Sequence, residues 1–401
     1  MKIENFQSQV CVCAASTKLT CAKGRAEMGL NMKVYIYGAG DKGRHAFRRI
    51  EQFYNDQVEV AGFIDGRKSG TYLGLPIISA ENVCTVSGEK DIPIVIAVAS
   101  RKAAVDIYTN LLQKGEGKLT CYFYLAKDND TYGPEDFFSY ECKLLADDAK
   151  EMIPHIEIHA ADYCNLNCSG CIHFSPIYKR ELPNTEKRLA DIDKICSVSN
   201  KILSFYILGG EPLLNPELAI YLKKARDLLP NADIQLVTNG LLIPHVKKEL
   251  MEAIKENNIV VTISEYEPTY CIRSKIITRL KEYKIDYAIR QYDRKQKFNL
   301  PLTVNLNSCY DNICISDGCV NIKEGKIARC PTLLYIKELN DKFHADFPQD
   351  GIYDLNEFQS CEELNEKMKE KVSLCRYCIK KEIDWHICKG TPCFEDFVSY
   401  E

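Results

Sequence analysis

Cys164, Cys168 and Cys171 sit on one short loop, Ala160-Ala-Asp-Tyr-Cys-Asn-Leu-Asn-Cys-Ser-Gly-Cys171. Spacings of three residues and then two let a single loop wrap three sulfurs around a metal centre, and soft thiolates favour iron-sulfur clusters or zinc. Structural sites are normally closed by four protein ligands, so three leave a coordination position for a substrate or cofactor. The competing reading is a zinc site completed by His173 or by a distant cysteine, although C-x3-C-x2-C lacks the two C-x2-C pairs of zinc ribbons. A second concentration of thiols comprises Cys309, Cys314, Cys319, Cys330, the C-x2-C knuckle Cys375-Arg-Tyr-Cys378, Cys388 and Cys393. Two pairs drawn from separate segments make a four-thiolate site that suits zinc or a cluster.

The chain has 20 cysteines in 401 residues. A reducing cytoplasm does not keep structural disulfides, so grouped thiols there point to metal. The isolated Cys84, Cys121, Cys142, Cys196 and Cys271 read as small core residues. With 52 basic and 56 acidic residues interspersed and a net charge of -4, no electrostatic footprint for nucleic acid or an anionic membrane is present. No run approaches the ~20 apolar residues of a membrane span, and no signal peptide opens the chain. These features predict a cytoplasmic protein acting on a peptide or small molecule, with neither nucleic acid nor membrane as a partner.

The elements that must position the loop follow from periodicity. Residues 1–31 lack a pattern and are expected to be disordered; Met32 is a candidate true start, and Cys11, Cys13 and Cys21 carry no functional weight. Residues 32–127 alternate strands (Lys33 to Tyr37, Val58 to Ile64, Ile92 to Val98) with amphipathic helix, such as Arg44 to Asn55, whose Ala46, Phe47, Ile50 and Tyr54 share a face. A Rossmann-like domain is expected there, followed over 128–153 by a linker that ends in a short helix. Residues 154–305 carry strands at His155 to His159, Leu203 to Leu208, Asp233 to Val237, Asn258 to Ser264, Ile285 to Gln291 and a sixth at Leu302 to Asn305, separated by helices. This predicts a partial (β/α)6 parallel barrel, with the cysteine loop at the rim where such folds place chemistry. The remainder, 306–401, is cysteine-rich, with a hairpin turning at Glu324-Gly325 and a helix at Asn356 to Glu370. The fold class is therefore α/β in three parts.

Within the first part, Gly38-Ala-Gly-Asp-Lys-Gly43 follows a strand and opens a helix, the setting of a phosphate cradle. Gly38, Gly40 and Gly43 would hold a nucleotide or nucleotide-sugar, with Asp65 on a ribose hydroxyl and Arg67 suited to an extra phosphate. The alternative is a scaffold that binds nothing and only packs or docks a partner.

Two motifs in strand order, the cysteine loop and Gly209-Gly210-Glu211-Pro212 at the end of the second barrel strand, resemble the radical S-adenosylmethionine (SAM) superfamily. The resemblance implies that Cys164, Cys168 and Cys171 bind three irons of a catalytic 4Fe-4S cluster whose fourth iron is chelated by SAM. Gly209 to Pro212 would bind the cofactor's α-amino group, with Ser264 and, less specifically, Thr238 and Asn239 near its ribose or carboxylate; Arg273 and Arg290 are candidate partners of that carboxylate. Gly170 stands where many members carry an aromatic residue. The region around Gly325 and Cys330 resembles the SPASM and twitch auxiliary-cluster extensions. One auxiliary 4Fe-4S cluster on Cys319, Cys330, Cys375 and Cys378 is implied, with Cys314 as substitute, while Cys309, Cys388 and Cys393 leave a second cluster open. The N-terminal part resembles Rossmann-like modules attached to sugar-modifying and glycan-locus enzymes.

The implied activity is reductive cleavage of SAM to a 5'-deoxyadenosyl radical that abstracts hydrogen from a peptide or a carbohydrate- or nucleotide-linked substrate, leading to oxidation, crosslinking or maturation. The electron would come from a donor such as flavodoxin or ferredoxin. No catalytic acid-base residue is nominated, and His173 is either a substrate contact or an ordinary loop histidine. A reading of a different class is a non-catalytic protein with zinc at both cysteine regions, a nucleotide at Gly38 to Gly43 and a degenerate barrel.

Overall fold

A computed structural model describes residues 32–83, 92–114, 119–128, 136–145, 149–291, 296–306, 314, 316 and 318–400. Cys11, Cys13, Cys21, Cys84 and Cys309 lie outside the described residues. The first sheet contains β1 (Met32–Tyr37), β2 (Val58–Asp65), β3 (Gly70–Tyr72), β4 (Leu75–Ser79), β5 (Ile94–Ile96), β6 (Cys121–Tyr124) and β7 (Cys142–Leu145), in the order β3-β4-β2-β1-β5-β6-β7. The strands from β4 to β6 in that order pair in parallel, and β3 and β7 are antiparallel edges. Helices Asp41–Phe53 and Arg101–Lys114 bury apolar stripes beside it. Apolar residues of β1 and β5 divide between two core clusters, which is why both strands read as continuous apolar runs.

The short helix expected within 128–153 is Phe137–Glu141, and an edge strand that was not expected follows it. Asp136 caps the helix Phe137–Glu141 by accepting hydrogen bonds from the Phe138 and Ser139 amides. Glu141, buried at the end of that helix, pairs with Arg49, and β7 then adds an edge to the first sheet. A strand of four residues is too short to show a period.

The second sheet comprises β8 (Ile153–Ala161), β9 (Ile202–Gly209), β10 (Asp233–Thr238), β11 (Val260–Ser264) and β12 (Tyr287–Arg290), all parallel. Beyond the separate β13 (Lys297–Thr303), it continues with β14 (Asn321–Lys323), β15 (Lys326–Ala328) and β16 (Ile352–Asp354). Their order is β12-β11-β10-β9-β8-β14-β15-β16. The partial barrel is present, but its sixth parallel strand is β14, which pairs with β8 and comes from the cysteine-rich region. The strand expected at Leu302 to Asn305 instead belongs to β13, the centre of a three-stranded sheet with β17 (Cys378–Asp384) and β18 (Val398–Ser399). Pro301 coincides with the register shift between Leu300 and Leu302, as expected of a residue with no N–H to give the ladder.

Alternation in β8 sets up the site. Ile156, Ile158 and Ala160 join the apolar core beneath the helices, so His155, Glu157 and His159 occupy the opposite face. In β9, Phe205 and Ile207 enter the core while Tyr206 and Leu208 line a cavity on that other face. The hairpin at Glu324-Gly325 forms where expected, with both turn amides donating to Asp191. The helix expected over Asn356 to Glu370 is confined to Cys361–Lys369, capped by Ser360, after a separate turn at Leu355–Glu357. Cys121 and Cys142 are core residues as expected, whereas Cys196 is only partly buried and Cys271 is exposed. Among the described residues no helix is long and apolar enough to cross a membrane.

Candidate active site

The cysteine loop leaves the end of β8 over a buried ionic anchor. Asp162 accepts from His159 Nδ1 (2.9 Å) and from Arg188 Nη2 (3.0 Å), and the Arg188 side chain is 1% exposed. Burial opposes ionisation of Asp162, but the His159 hydrogen bond and the Arg188 guanidinium hold its carboxyl well below the usual range.

Gly209 and Gly210 let β9 approach the start of that loop. A Cβ on Gly209 would lie 2.0 Å from the Ala161 carbonyl oxygen, and one on Gly210 would lie 2.1 Å from the Tyr163 oxygen. The Gly210 amide donates to Ala161 (2.8 Å) and the Glu211 amide to Tyr163 (3.0 Å). What needs the glycines is thus, first, the backbone that leads into the cysteines. Gly210→Ala is expected to displace this backbone, cost about 1–3 kcal/mol and reduce cluster loading severalfold. Thermal unfolding and iron and sulfide content after anaerobic reconstitution measure the two effects.

Cys164, Cys168 and Cys171 line one cavity of about 370 Å³, with Gly209, Gly210, Thr238, Asn239, Ser264 and Tyr266 on its wall. Burial, and then the nearby Glu211 charge, push the Cys164 thiol up to about 12, against amide donors at Leu166 (3.4 Å) and Asn239 (3.7 Å). Burial and the neighbouring Cys171 also raise Cys168, which accepts the Trp385 indole N–H at 3.2 Å. Cys171 is raised by burial and opposed by hydrogen bonds from the backbone at Ser175, His173 and Phe174. Buried thiols become thiolates when a cation compensates their charge, and the N–H donors stabilise that bound form.

Three soft thiols lining one cavity are a donor set of the chemistry that suits an iron-sulfur cluster. Among the described residues no group of three or more His, Cys, Asp or Glu side chains is arranged to hold a metal ion. Two buried polar atoms of cavity residues, His173 Nε2 and Asn299 Oδ1, have no hydrogen-bond partner among the described residues.

Glu211 is fully buried and does not line the cavity. Its oxygens accept from Thr238 Oγ1 (2.7 Å), the Asn239 amide (2.9 Å) and the Leu213 amide (3.0 Å). Burial pushes its carboxyl up to about 7, with those three hydrogen bonds pulling the other way. It therefore ties the β9 and β10 loops together, while Pro212 opens the short turn Pro212–Leu214. Asn239 extends the tie to the cysteine loop through Asn165 Oδ1 (2.7 Å). Ser264 and Arg290 reach the cavity, whereas Arg273 faces the buried Glu265 at 3.5 Å.

Several cavity residues escaped the sequence reading. Glu157 accepts from His155 Nε2 (3.0 Å) and Asn321 Nδ2 (2.8 Å); burial would raise it, but His155 and other partners bring it down to about 2. Tyr206, Arg290 and Cys319 share this cavity with it. Glu157 and its neighbours were legible as alternation in His155-Ile-Glu-Ile-His159, whereas Trp385 and Phe298 gave no local signal. Burial and His159 push His173, on the cavity wall, down to about 3. No side chain stands at Gly170; the Phe298 ring is 3.4 Å from its Cβ position, so aromatic cover comes from β13.

The C-terminal thiols gather beside this cavity. Burial raises Cys378, which also feels Cys330, Cys375 and Cys314, and burial takes Cys330 up to about 12. Cys319 is raised by burial, then by Glu157, Cys330 and Cys314, which puts it between the two regions. Cys388 and Cys393 lie elsewhere, on the segment that covers the cysteine loop. The Cys388 amide donates to Asn167 O (2.9 Å), and Cys393 is exposed.

In the glycine loop, Gly43 is required because its Cβ would lie 1.8 Å from the Gly38 oxygen, and the Gly38 Cβ would meet Ala97 O at 2.8 Å; of the three motif glycines only Gly40 faces open space. Asp65 accepts from the Ala39 amide (3.0 Å) and from those of Arg67 (2.9 Å) and Lys68 (3.1 Å). Its carboxylate braces the glycine loop, a job not visible in the sequence.

Residues 158–294, which span the cysteine loop and strands through β12, match the model of the Radical SAM superfamily. That region, about a third of the chain, is similar to the superfamily's domain. Radical SAM enzymes use a 4Fe-4S cluster and SAM. Among curated proteins, the chain is 28% identical over 168 residues to a GTP 3',8-cyclase of Campylobacter jejuni subsp. doylei, covering 41% of this chain and 52% of that protein. It is 31% identical over 158 residues to the GTP 3',8-cyclase of Clostridium acetobutylicum, covering 38% and 46%. The chain thus spans about half the length of the curated relatives it matches. Among solved structures, BtrN in complex with AdoMet and 2-DOIA is 16% identical with a TM-score of 0.32, over 56% of this chain and 92% of that one. Native anSMEcpe with bound AdoMet is 22% identical with a TM-score of 0.26, over 34% and 44%.

Proposed function

We propose that this protein is a radical SAM enzyme whose catalytic 4Fe-4S cluster is held by Cys164, Cys168 and Cys171. The observation that carries the reading is the convergence of those three thiols on one cavity that Gly209 and Gly210 also line. When bound, the cluster and SAM supply one-electron reductive cleavage of the sulfonium and a hydrogen-abstracting radical. The chain's own part is to orient and enclose them. Gly209, Gly210 and Ser264 line the space for SAM, while Glu211 holds the β10 loop in place, so Thr238 and Asn239 present a fixed wall. Leu166 and Asn239 donate to the sulfur of Cys164.

The substrate is a peptide or a polar small molecule, and a carbohydrate- or nucleotide-linked compound is the reading we favour. An ionised Glu157 held by two donors, the Tyr206 phenol and the Arg290 guanidinium together suit a molecule rich in hydroxyl or phosphate groups. GTP 3',8-cyclase, the name of the curated relatives, denotes a nucleotide substrate. The glycine loop is assigned to nucleotide binding on the weaker ground that Gly40 faces open space. An electron donor of the flavodoxin or ferredoxin type completes the scheme.

The proposed auxiliary cluster draws on Cys319, Cys330, Cys375 and Cys378, with Cys314 as substitute. Mixing anaerobically reconstituted protein with dithionite and SAM should yield 5'-deoxyadenosine; a colourless, zinc-containing, iron-free protein would instead sink the radical reading. Cys375→Ala is expected to leave uncoupled SAM cleavage within about twofold while reducing substrate turnover by at least ~10-fold, the scale of losing a ligand-level contribution. Chromatographic assay of 5'-deoxyadenosine and product in the same reaction separates the two.

A further inference from the structure

The chain has one tryptophan. Trp385 follows β17, and its indole N–H donates to the Cys168 sulfur at 3.2 Å. Its ring stacks on Tyr266, with centroids 5.2 Å apart and planes 24° from parallel, and Tyr266 meets the Phe298 ring edge-on at 5.9 Å. The Trp385 amide donates to Gln296 O (3.0 Å), which fixes the residue from the β13 side.

Beyond Trp385 the backbone is laced to the cysteine loop. The Ser169 amide donates to His386 O (3.0 Å), the Cys388 amide to Asn167 O (2.9 Å) and the Gly170 amide to Asp396 O (2.7 Å). Cys168 and Ile387 form an isolated antiparallel bridge. Gly170 suits the packing of β13 and β17 on this loop: at φ +75°, its Cβ would lie 3.2 Å from Asn299 O and 3.4 Å from Phe298 and Ile383 side-chain atoms. The indole is thus aimed at one sulfur by contacts on two sides.

A hydrogen bond to a ligating sulfur withdraws charge from the metal centre, and it strengthens as the centre becomes more negative. It therefore stabilises the reduced state over the oxidised one. We propose that Trp385 is a positioning residue of the cluster site, whose N–H···S bond to Cys168 raises the reduction potential of the cluster. This rests on Cys164, Cys168 and Cys171 being the cluster ligands.

The test is an EPR-monitored redox titration of the reconstituted full chain, following the signal that changes on adding SAM. Trp385→Phe keeps an aromatic ring but loses the donor, and is expected to make one-electron reduction about tenfold less favourable, a shift of ~59 mV to more negative potential. Trp385→His keeps a ring N–H and is expected to recover part of the shift. An unchanged potential in a loaded Trp385→Phe protein, or an equal shift in both variants, overturns the inference while leaving the ligand assignment intact. Absence of any SAM-responsive cluster in the unaltered chain overturns both.

If Trp385→Phe fails to load, fluorescence of the unaltered chain decides, because its single tryptophan must then report on the loop. Emission should be quenched in step with growth of the SAM-responsive signal. Emission that stays constant while that signal grows rules the contact out.

Discussion

Replacing Cys164, Cys168 or Cys171 with alanine is expected to abolish 5'-deoxyadenosine formation, a loss larger than the roughly 10–100-fold that outer-shell changes at metal sites cost. Among the described residues the only further thiol on the cavity wall is Cys319. Cys388 acts electrostatically on Cys168 and feels Cys171 but does not line the cavity, and burial and Asp396 push its thiol up to about 12. Cys319 belongs to the second thiol group. The variants should keep their fold, since the loop is held by backbone bonds at Asn167, Ser169 and Gly170 and by the glycine contacts at Ala161 and Tyr163. Circular dichroism and thermal unfolding should therefore change little while SAM cleavage disappears. Residual cleavage in Cys168→Ala would place the cluster elsewhere.

Arg188→Met is expected to have the largest effect on stability. It leaves the Asp162 carboxylate buried without its guanidinium, and breaking such a pair costs about 3–5 kcal/mol. For a unit of this size that lowers Tm by about 6–20 °C. The double variant with Asp162→Asn removes both charges and should recover much of the loss, which a double-mutant cycle measures. Because folding depresses the Asp162 pKa, its contribution is present above the unfolded carboxylate value near ~4 and fades as pH falls towards the folded value. The gap between Arg188→Met and the unaltered protein should accordingly narrow in acid. A gap independent of pH would assign the cost to packing of the long side chain instead.

Much of the fold was legible because local periodicity carries it. Five barrel strands appear close to where alternation or apolar runs put them, and the Glu324-Gly325 hairpin forms at its turn signal. The sixth strand was misplaced for a reason that sequence order hides. Position beside β8 is set by pairing, and β14 wins it from across the whole barrel sequence while β13 finds partners in β17 and β18. The edge strand Cys142–Leu145 escaped the reading of 128–153 as a linker with a short helix because four residues have no period to detect. Glu157, by contrast, was present in the alternating pattern of β8 and passed over.

The sequence by itself determined the loop thiols, the glycine pair beside them and the alternating strands that bring both to one rim, because each depends on residue type and short spacing. Tertiary structure decided what those residues do to one another. Gly209 and Gly210 yield first to the backbone of the cysteine loop, Glu211 turns its carboxylate to Thr238 and Asn239, and Asp65 braces its own glycine loop. Trp385 reaches Cys168 across 217 positions of chain. Such contacts join segments distant in sequence, and they exist only where packing selects one partner among many for each buried polar group.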